Sequence, residues 1–222
     1  MTFIHATSVP ATDALAEHGV HRVATPEALS LIRRADCAGA IWERQPLPSF
    51  NRWIDDLAPD HLPKARMVLP VVRVSEALQE ITGACGTPKG PARDLLVDDI
   101  SALAAIFAEI MRVDYLRLRL DVVRGNACRK FHIDAVTARL VCTYRGTGTQ
   151  YGIANEGRDP DRISTVPRGA PIMLRGTRWP VTPELNLRHR SPPIEGSGET
   201  RLVLVLDPII DPDEETVSHT LH

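Results

Sequence analysis

The chain has 222 residues, 43% apolar and 24% charged, with a formal net charge of -2 at pH 7. This length and balance suit one soluble globular unit with a real core, and there is no basic excess of the kind a nucleic-acid binder uses. No apolar run approaches a membrane span, and the N-terminus MTFIHATSVPATDALAEHG lacks the basic and apolar regions of a signal peptide, so a cytoplasmic protein without membrane or nucleic-acid partners is expected, its oligomeric state open.

In chain order, the first half reads as helical and irregular. TPEALSLIRRAD (25–36) opens on a Thr-Pro helix start, and a short extended piece, AGAIWER, follows. SFNRWIDDLAP (49–59) and VSEALQEITGACG (74–86) predict short helices, the second stopped by its glycines, and TPKGPAR (87–93) predicts a loop. DLLVDDISALAAIFAEIMRV (94–113) keeps Leu95, Ile100, Leu103, Ile106, Phe107, Ile110 and Met111 on one broad apolar face, the pattern of a long amphipathic helix. The period then changes. Leu116, Leu118 and Leu120 alternate with Arg117, Arg119 and Asp121, the signature of a strand with one buried face.

From there the sequence predicts strands at YLRLRLDVV, KFHIDAV, ARLVCTYRG, TQYGIAN, APIMLRG, ELNLRHRS and RLVLVLDPI, separated by turns rich in Gly, Pro and Asn. Short strands preceded by helices predict an α+β chain with a mainly β core, a small barrel or sandwich under an N-terminal helical layer. One domain is expected over 1–222: a mainly helical part to residue 114, a β core over 115–207 and an acidic tail over 208–222.

CRKFHID, residues 128–134, places His132 two residues before Asp134. In extended backbone, positions i and i+2 share a face, so this spacing offers an imidazole and a carboxylate to one point in space. Of the other seven histidines, only His189 falls within the predicted β region, in LNLRHRSPPI. Arg201 follows it at the head of the apolar strand Leu202 to Leu206. Two histidines and a carboxylate with the remaining positions open suit ferrous iron that must accept an organic co-substrate and oxygen; zinc uses the same ligands. An arginine nearby can pair bidentately with the far carboxylate of a chelating dicarboxylate.

The order His132-x-Asp134, His189, Arg201 resembles the 2-oxoglutarate and iron(II) dependent dioxygenases over residues 115–207. The segments VVRGNACRKFHID and VPRGAPIMLRG are similar to their strand, glycine turn and H-x-D and to the turn and strand before the distal histidine. The resemblance implies a double-stranded β-helix of jelly-roll or cupin type, in which His132, Asp134 and His189 are the catalytic iron ligands and Arg201 holds 2-oxoglutarate. Over the whole chain, FHIDAVTARLVCTYRGTGTQY together with RHRSPP resembles an uncharacterised bacterial family, domain of unknown function 1826. The implied activity is hydroxylation of an unidentified substrate.

Tyr144 and Arg145, at a strand end, offer a phenolic hydroxyl and a charge to a ligand at the pocket mouth, and Tyr144 stands beside Arg201 as a cofactor-binding candidate; alternatively the pair caps a turn. Arg188 and Arg190 beside His189 suit either an acidic substrate or a solvated face. None of Cys37, Cys85, Cys128 and Cys142 forms a C-x-x-C pair, which excludes a zinc ribbon or redox dithiol. Two alternatives therefore stand beside the oxygenase. One is a zinc-binding accessory or metal-homeostasis protein using His132, Asp134 and His189 with Cys128 or Cys142 as a fourth ligand and no turnover. The other is a metal-dependent isomerase or hydrolase, which has no need of Arg201.

Overall fold

The computed structural model describes residues 19–154, 158–180 and 186–212. The acidic tail expected from residue 208 lies, beyond 212, outside the described residues. Ten strands are described: β1 Val20–Val23, β2 Gly39–Trp42, β3 Ala65–Pro70, β4 Tyr115–Val123, β5 Ala138–Arg145, β6 Gln150–Ile153, β7 Ser164–Thr165, β8 Pro171–Arg175, β9 Leu187–Arg190 and β10 Arg201–Ile209. Three α-helices stand among them: α1 Pro48–Asp56, α2 Val74–Ala84 and α3 Pro91–Met111. The result is a mixed α/β architecture with one large sheet, in the order β1-β2-β8-β5-β10-β4-β3, and a small sheet, β7-β6-β9. Among the described residues no helix is long and apolar enough to cross a membrane.

Alternation along β4 decides how the large sheet faces. Leu116, Leu118 and Leu120 are essentially inaccessible and pack with Leu96, Ile100, Leu103 and Phe107 of α3 in one core between sheet and helices. Each such side chain contributes about 1.5–3 kcal/mol when fully buried, more than any single polar contact on the opposite face. Register is therefore set by the leucines. A one-residue slip would turn Arg117, Arg119 and Asp121 into the helix layer. A second core, which includes Val141, Tyr151, Ile172, Leu187, Val203 and Val205, fills the space between the two sheets.

From β4 onward the chain alternates between the sheets. It passes from β4 to an isolated bridge at His132, returns to β5, crosses to β6 and β7, returns to β8, crosses to β9 and ends in β10. Three features differ from the sequence expectation. The first half contributes strands as well as helices, β1 and β2 at one edge of the large sheet and β3 at the other. The expected strand KFHIDAV is reduced to one paired residue, because the main chain around it is bonded to turns instead: Ser191 N donates to Cys128 O at 3.0 Å, and Thr177 N to Asp134 O at 2.9 Å. The segment 25–36 forms a 3-10 helix over Glu27–Arg33 rather than an α-helix. Its buried residues, Leu29 and Ile32, are three apart, the spacing that three residues per turn aligns on one face.

The helix layer is tied to the sheet by a buried ionic group. Arg44, just past β2, bonds Asp99 of α3 through both terminal nitrogens, at 2.5 and 2.8 Å, and its Nε donates to Gly169 O at 2.7 Å. Tyr144 of β5 donates its hydroxyl to Asp99 Oδ2 at 2.6 Å. The Arg44 and Asp99 side chains are 2% and 5% exposed, so each charge depends on the other for its stability in a site without water.

Two substitutions test how these contacts hold the fold. Asp99→Ala removes the carboxylate that balances the Arg44 charge and is expected to lower unfolding free energy by about 3–5 kcal/mol, read from urea denaturation. Loss of under about 1 kcal/mol would contradict the role given to the pair. Gly176 follows β8, and a Cβ there would fall within the Val136 carbonyl oxygen and 2.7 Å from that of Asp134. Gly176→Ala is therefore expected to displace the Asp134 backbone, lowering both the melting temperature and divalent-metal affinity; unchanged metal affinity in calorimetry would show that the close approach of Gly176 does not set Asp134.

Candidate metal centre and co-substrate pocket

His132 and His189 exchange both backbone hydrogen bonds, N to O at 3.0 Å in each direction. In a hydrogen-bonded antiparallel pair, side chains directly opposite lie on one face, so residues far apart in sequence become adjacent in space. Their ring centroids are 4.6 Å apart. Asp134, two residues after His132, turns to the same side: its Oδ1 is 3.4 Å from His132 Nε2 and its Oδ2 is 3.0 Å from His189 Nε2. One ligand atom from each of the three residues lies within 4.8 Å of the other two.

The donor set fits a divalent metal. His132 Nδ1 lies 2.9 Å from Lys130 O, an arrangement in which Nδ1–H donates and Nε2 keeps its lone pair for a cation. Asp134 Oδ2 is buried, with His189 Nε2 3.0 Å away. Two imidazole nitrogens and a carboxylate oxygen at this spacing need small adjustments to bind one first-row metal at roughly 2.0–2.2 Å. Three coordination positions would remain, the arrangement that suits iron(II).

Charge is arranged around the carboxylate. Burial opposes ionisation of Asp134, but the His132 and His189 imidazoles and the Arg139 guanidinium overcome it and hold the carboxyl well below the usual range. The Asp134 carboxylate beside it raises the His132 pKa against the effect of burial, whereas burial dominates at His189 and lowers it. Arg139 of β5 pairs with Asp134 Oδ1 through Nη1, and with Asp207 of β10 at 2.6 and 2.8 Å through Nε and Nη2. The Asp207 side chain is 2% exposed. Arg139 is thus fixed by one carboxylate and orients another.

His132, Asp134 and His189 line a cavity of about 310 Å³ between the sheets, whose walls include Val141, Ser191, Val203, Val205 and Arg201. Arg201 is 1% exposed. Its Nε donates to Thr147 O at 2.6 Å, while Nη1 lies 3.3 Å from Ser191 Oγ and Nη2 3.5 Å from Thr143 Oγ1. No carboxylate pairs with it among the described residues. Burial lowers its pKa to about 10, against the pull of Glu199. Gly146, at φ +78°, makes room for the stem: a Cβ there would stand 2.8 Å from Arg201 Cγ.

The structure brings His132, Asp134, His189 and Arg201 to one cavity. Tyr144 is a correction. On β5, Arg139 and Val141 face the cavity, so alternation turns Tyr144 and Cys142 to the helix side, where both are fully buried and Tyr144 bonds Asp99. Arg145 donates to Leu57 O at 2.7 Å, away from the three ligands. Cys128 is exposed and lines the cavity without joining the ligand group. Arg190 lies over the Phe131 ring at 4.4 Å and bonds Gln150. Sequence reading missed Arg139 and Asp207, although a charged residue at a cavity-facing step of an otherwise apolar strand is the signal for such a pair.

No curated protein matches the sequence. The structure is similar to that of the dioxygenase for auxin oxidation 1 from Arabidopsis thaliana, solved as a complex with 2-oxoglutarate, with a TM-score of 0.52 at 8% identity over 87% of this chain and 93% of that one. That likeness shows a shared fold. Weaker likenesses are to the rice dioxygenase for auxin oxidation, TM-score 0.46 at 12% identity over 87% and 83% of the two chains. A Pseudomonas putida prolyl-4-hydroxylase gives 0.35 at 14% identity over 74% and 96%. The family model described as Protein of unknown function (DUF1826) matches residues 24–207, most of the chain, and the protein belongs to that family.

Proposed function

We propose that the protein is an iron(II) and 2-oxoglutarate dependent oxygenase, a hydroxylase built on a double-stranded β-helix. The alternation of the chain between two sheets from β4 to β10 supports that topology, as does the fold shared with a dioxygenase solved with 2-oxoglutarate. The observation that carries the reading is Arg201: a buried guanidinium without a carboxylate among the described residues, in the same cavity as two histidines and an aspartate. A protein that only held metal would have no use for that charge.

In this reading His132, Asp134 and His189 hold the metal by Nε2, a carboxylate oxygen and Nε2. Arg201 binds the distal carboxylate of 2-oxoglutarate, flanked by the Ser191 and Thr143 hydroxyls. Arg139 holds Asp134 so that Oδ2 stays turned to the imidazoles. Val141, Val203 and Val205 keep that part of the cavity apolar and limit its water. Iron with 2-oxoglutarate and dioxygen supplies the oxidising chemistry; the chain supplies binding, orientation and shielding.

A zinc site closed by thiolate has less support, because Cys142 lies on the helix side of β5 and Cys128 stands outside the ligand group. The test separates metal from co-substrate. Arg201→Leu is expected to leave manganese(II) affinity nearly intact while weakening 2-oxoglutarate binding to the manganese-loaded protein by roughly 2–4 kcal/mol. Isothermal titration measures both. Equal 2-oxoglutarate affinity in wild type and variant, or none in metal-loaded wild type, would contradict the assignment.

A further inference from the structure

The large sheet has seven strands against three in the small one, and β4 and β3 stand at one end of its order. Met67, Leu69, Leu116, Leu118 and Leu120 turn to the helix layer. Alternation therefore turns Arg66, Arg117, Arg119 and Asp121 to the cavity side. Arg66 and Arg119 are direct cross-strand partners, so two like charges stand side by side, an arrangement that destabilises a sheet unless something balances it.

Arg119 lines the same cavity as the metal ligands, and its Nε is buried without a hydrogen-bond partner. Asp121 Oδ2 stands 4.0 Å from that Nε. Asp207, 3.9 Å from Arg117 Nη1, is already bonded twice by Arg139. Burial lowers the Arg117 pKa against the pull of Asp207, and the charges of Arg66, Arg119 and Arg139 add to that lowering.

The geometry points to a second anion subsite at Arg66 and Arg119, one that takes a phosphate group carried by the small-molecule substrate and is distinct from the Arg201 pole. Two guanidiniums match a dianion that each can bond in bidentate fashion, whereas a monocarboxylate would leave one charge unbalanced. The placement suits a substrate. Val205 is the β10 partner of Arg119 and Val141 the β5 partner of Val205, so Arg119 lies two strand spacings, roughly 10 Å, across the sheet from β5. Arg201 stands four residues along β10 from Val205, roughly 13 Å away. A molecule anchored by its phosphate at Arg119 would extend toward the metal ligands without displacing 2-oxoglutarate.

The inference rests on the oxygenase reading for its meaning but not for its test. Metal-free, full-length protein is titrated with inorganic phosphate by calorimetry, with Arg201→Leu as the background that removes the other pole. Saturable binding is expected in wild type and in Arg201→Leu, weakened about tenfold or more by adding Arg119→Leu and several-fold by adding Arg66→Leu. Melting temperatures are expected not to fall in the Arg119→Leu variant, since it relieves a like-charge contact; Arg66→Leu, at an exposed side chain, and Arg119→Lys repeat the comparison if that variant does not fold. Phosphate binding indifferent to Arg119 and Arg66, lost with Arg201→Leu alone, or replaced by unsaturable binding with affinity only for long polyanions would overturn the subsite. No metal or 2-oxoglutarate is present in this titration, so its failure leaves the oxygenase reading standing. Conversely, absence of 2-oxoglutarate binding in metal-loaded protein leaves the phosphate result standing.

Discussion

The site depends on a single backbone pairing. His132 and His189 exchange two hydrogen bonds at an isolated bridge, and this one contact sets two imidazoles side by side with no ladder behind His132 to hold its register. Neighbouring turns supply what the ladder would. Asn126 Oδ1 accepts from Ile194 N at 3.1 Å and Glu195 N at 3.2 Å, Ser191 bonds Cys128, and residues 176–178 bond the carbonyls of Asp134, Val136 and Thr137. Loop backbone thus carries His132 and Asp134 while rigid strands lie on either side. Such an arrangement can adjust by the fraction of an ångström that metal coordination requires without moving the sheets.

Strand alternation separates two groups of buried charge on opposite faces of β5. On the helix side, Asp99 accepts from Arg44 and Tyr144 and ties α3 to the sheet. On the cavity side, Arg139 joins Asp207 to Asp134. The first group serves the fold, because all its charges are matched within it. The second leaves polar atoms unmatched at Asp134 Oδ2 and, further along the cavity, at Arg119 Nε, which is where a structure built to bind something departs from one built only to be stable.

Much of this was legible in the sequence where a single physical signal dominated. The leucine alternation of β4 and the apolar face of α3 each fix an element by periodicity, and the two-residue step of His132-x-Asp134 turns both side chains to one side. Partnership across long separations is harder. Nothing local in KFHIDAV shows that it pairs at one residue, since its main-chain bonds go to turns 40 or more residues away. The face presented by Tyr144 followed from its register with Arg139, whose cavity-side role was itself not apparent. Strands β1 and β3 were missed because they are short edge strands, VHRV and ARMVLP, in which mixed polar residues blur the alternation. Tertiary pairing rather than propensity makes them strands.

The central claim is that His132, Asp134 and His189 hold one iron ion with open positions that 2-oxoglutarate chelates while Arg201 holds its tail. Visible absorption of the iron(II)-loaded protein under strict exclusion of oxygen, on adding 2-oxoglutarate, tests it most directly. The account predicts a metal-to-ligand charge-transfer band that appears in wild type and is absent from Asp134→Ala. A well-folded, iron-loaded wild type that shows no such band would contradict it.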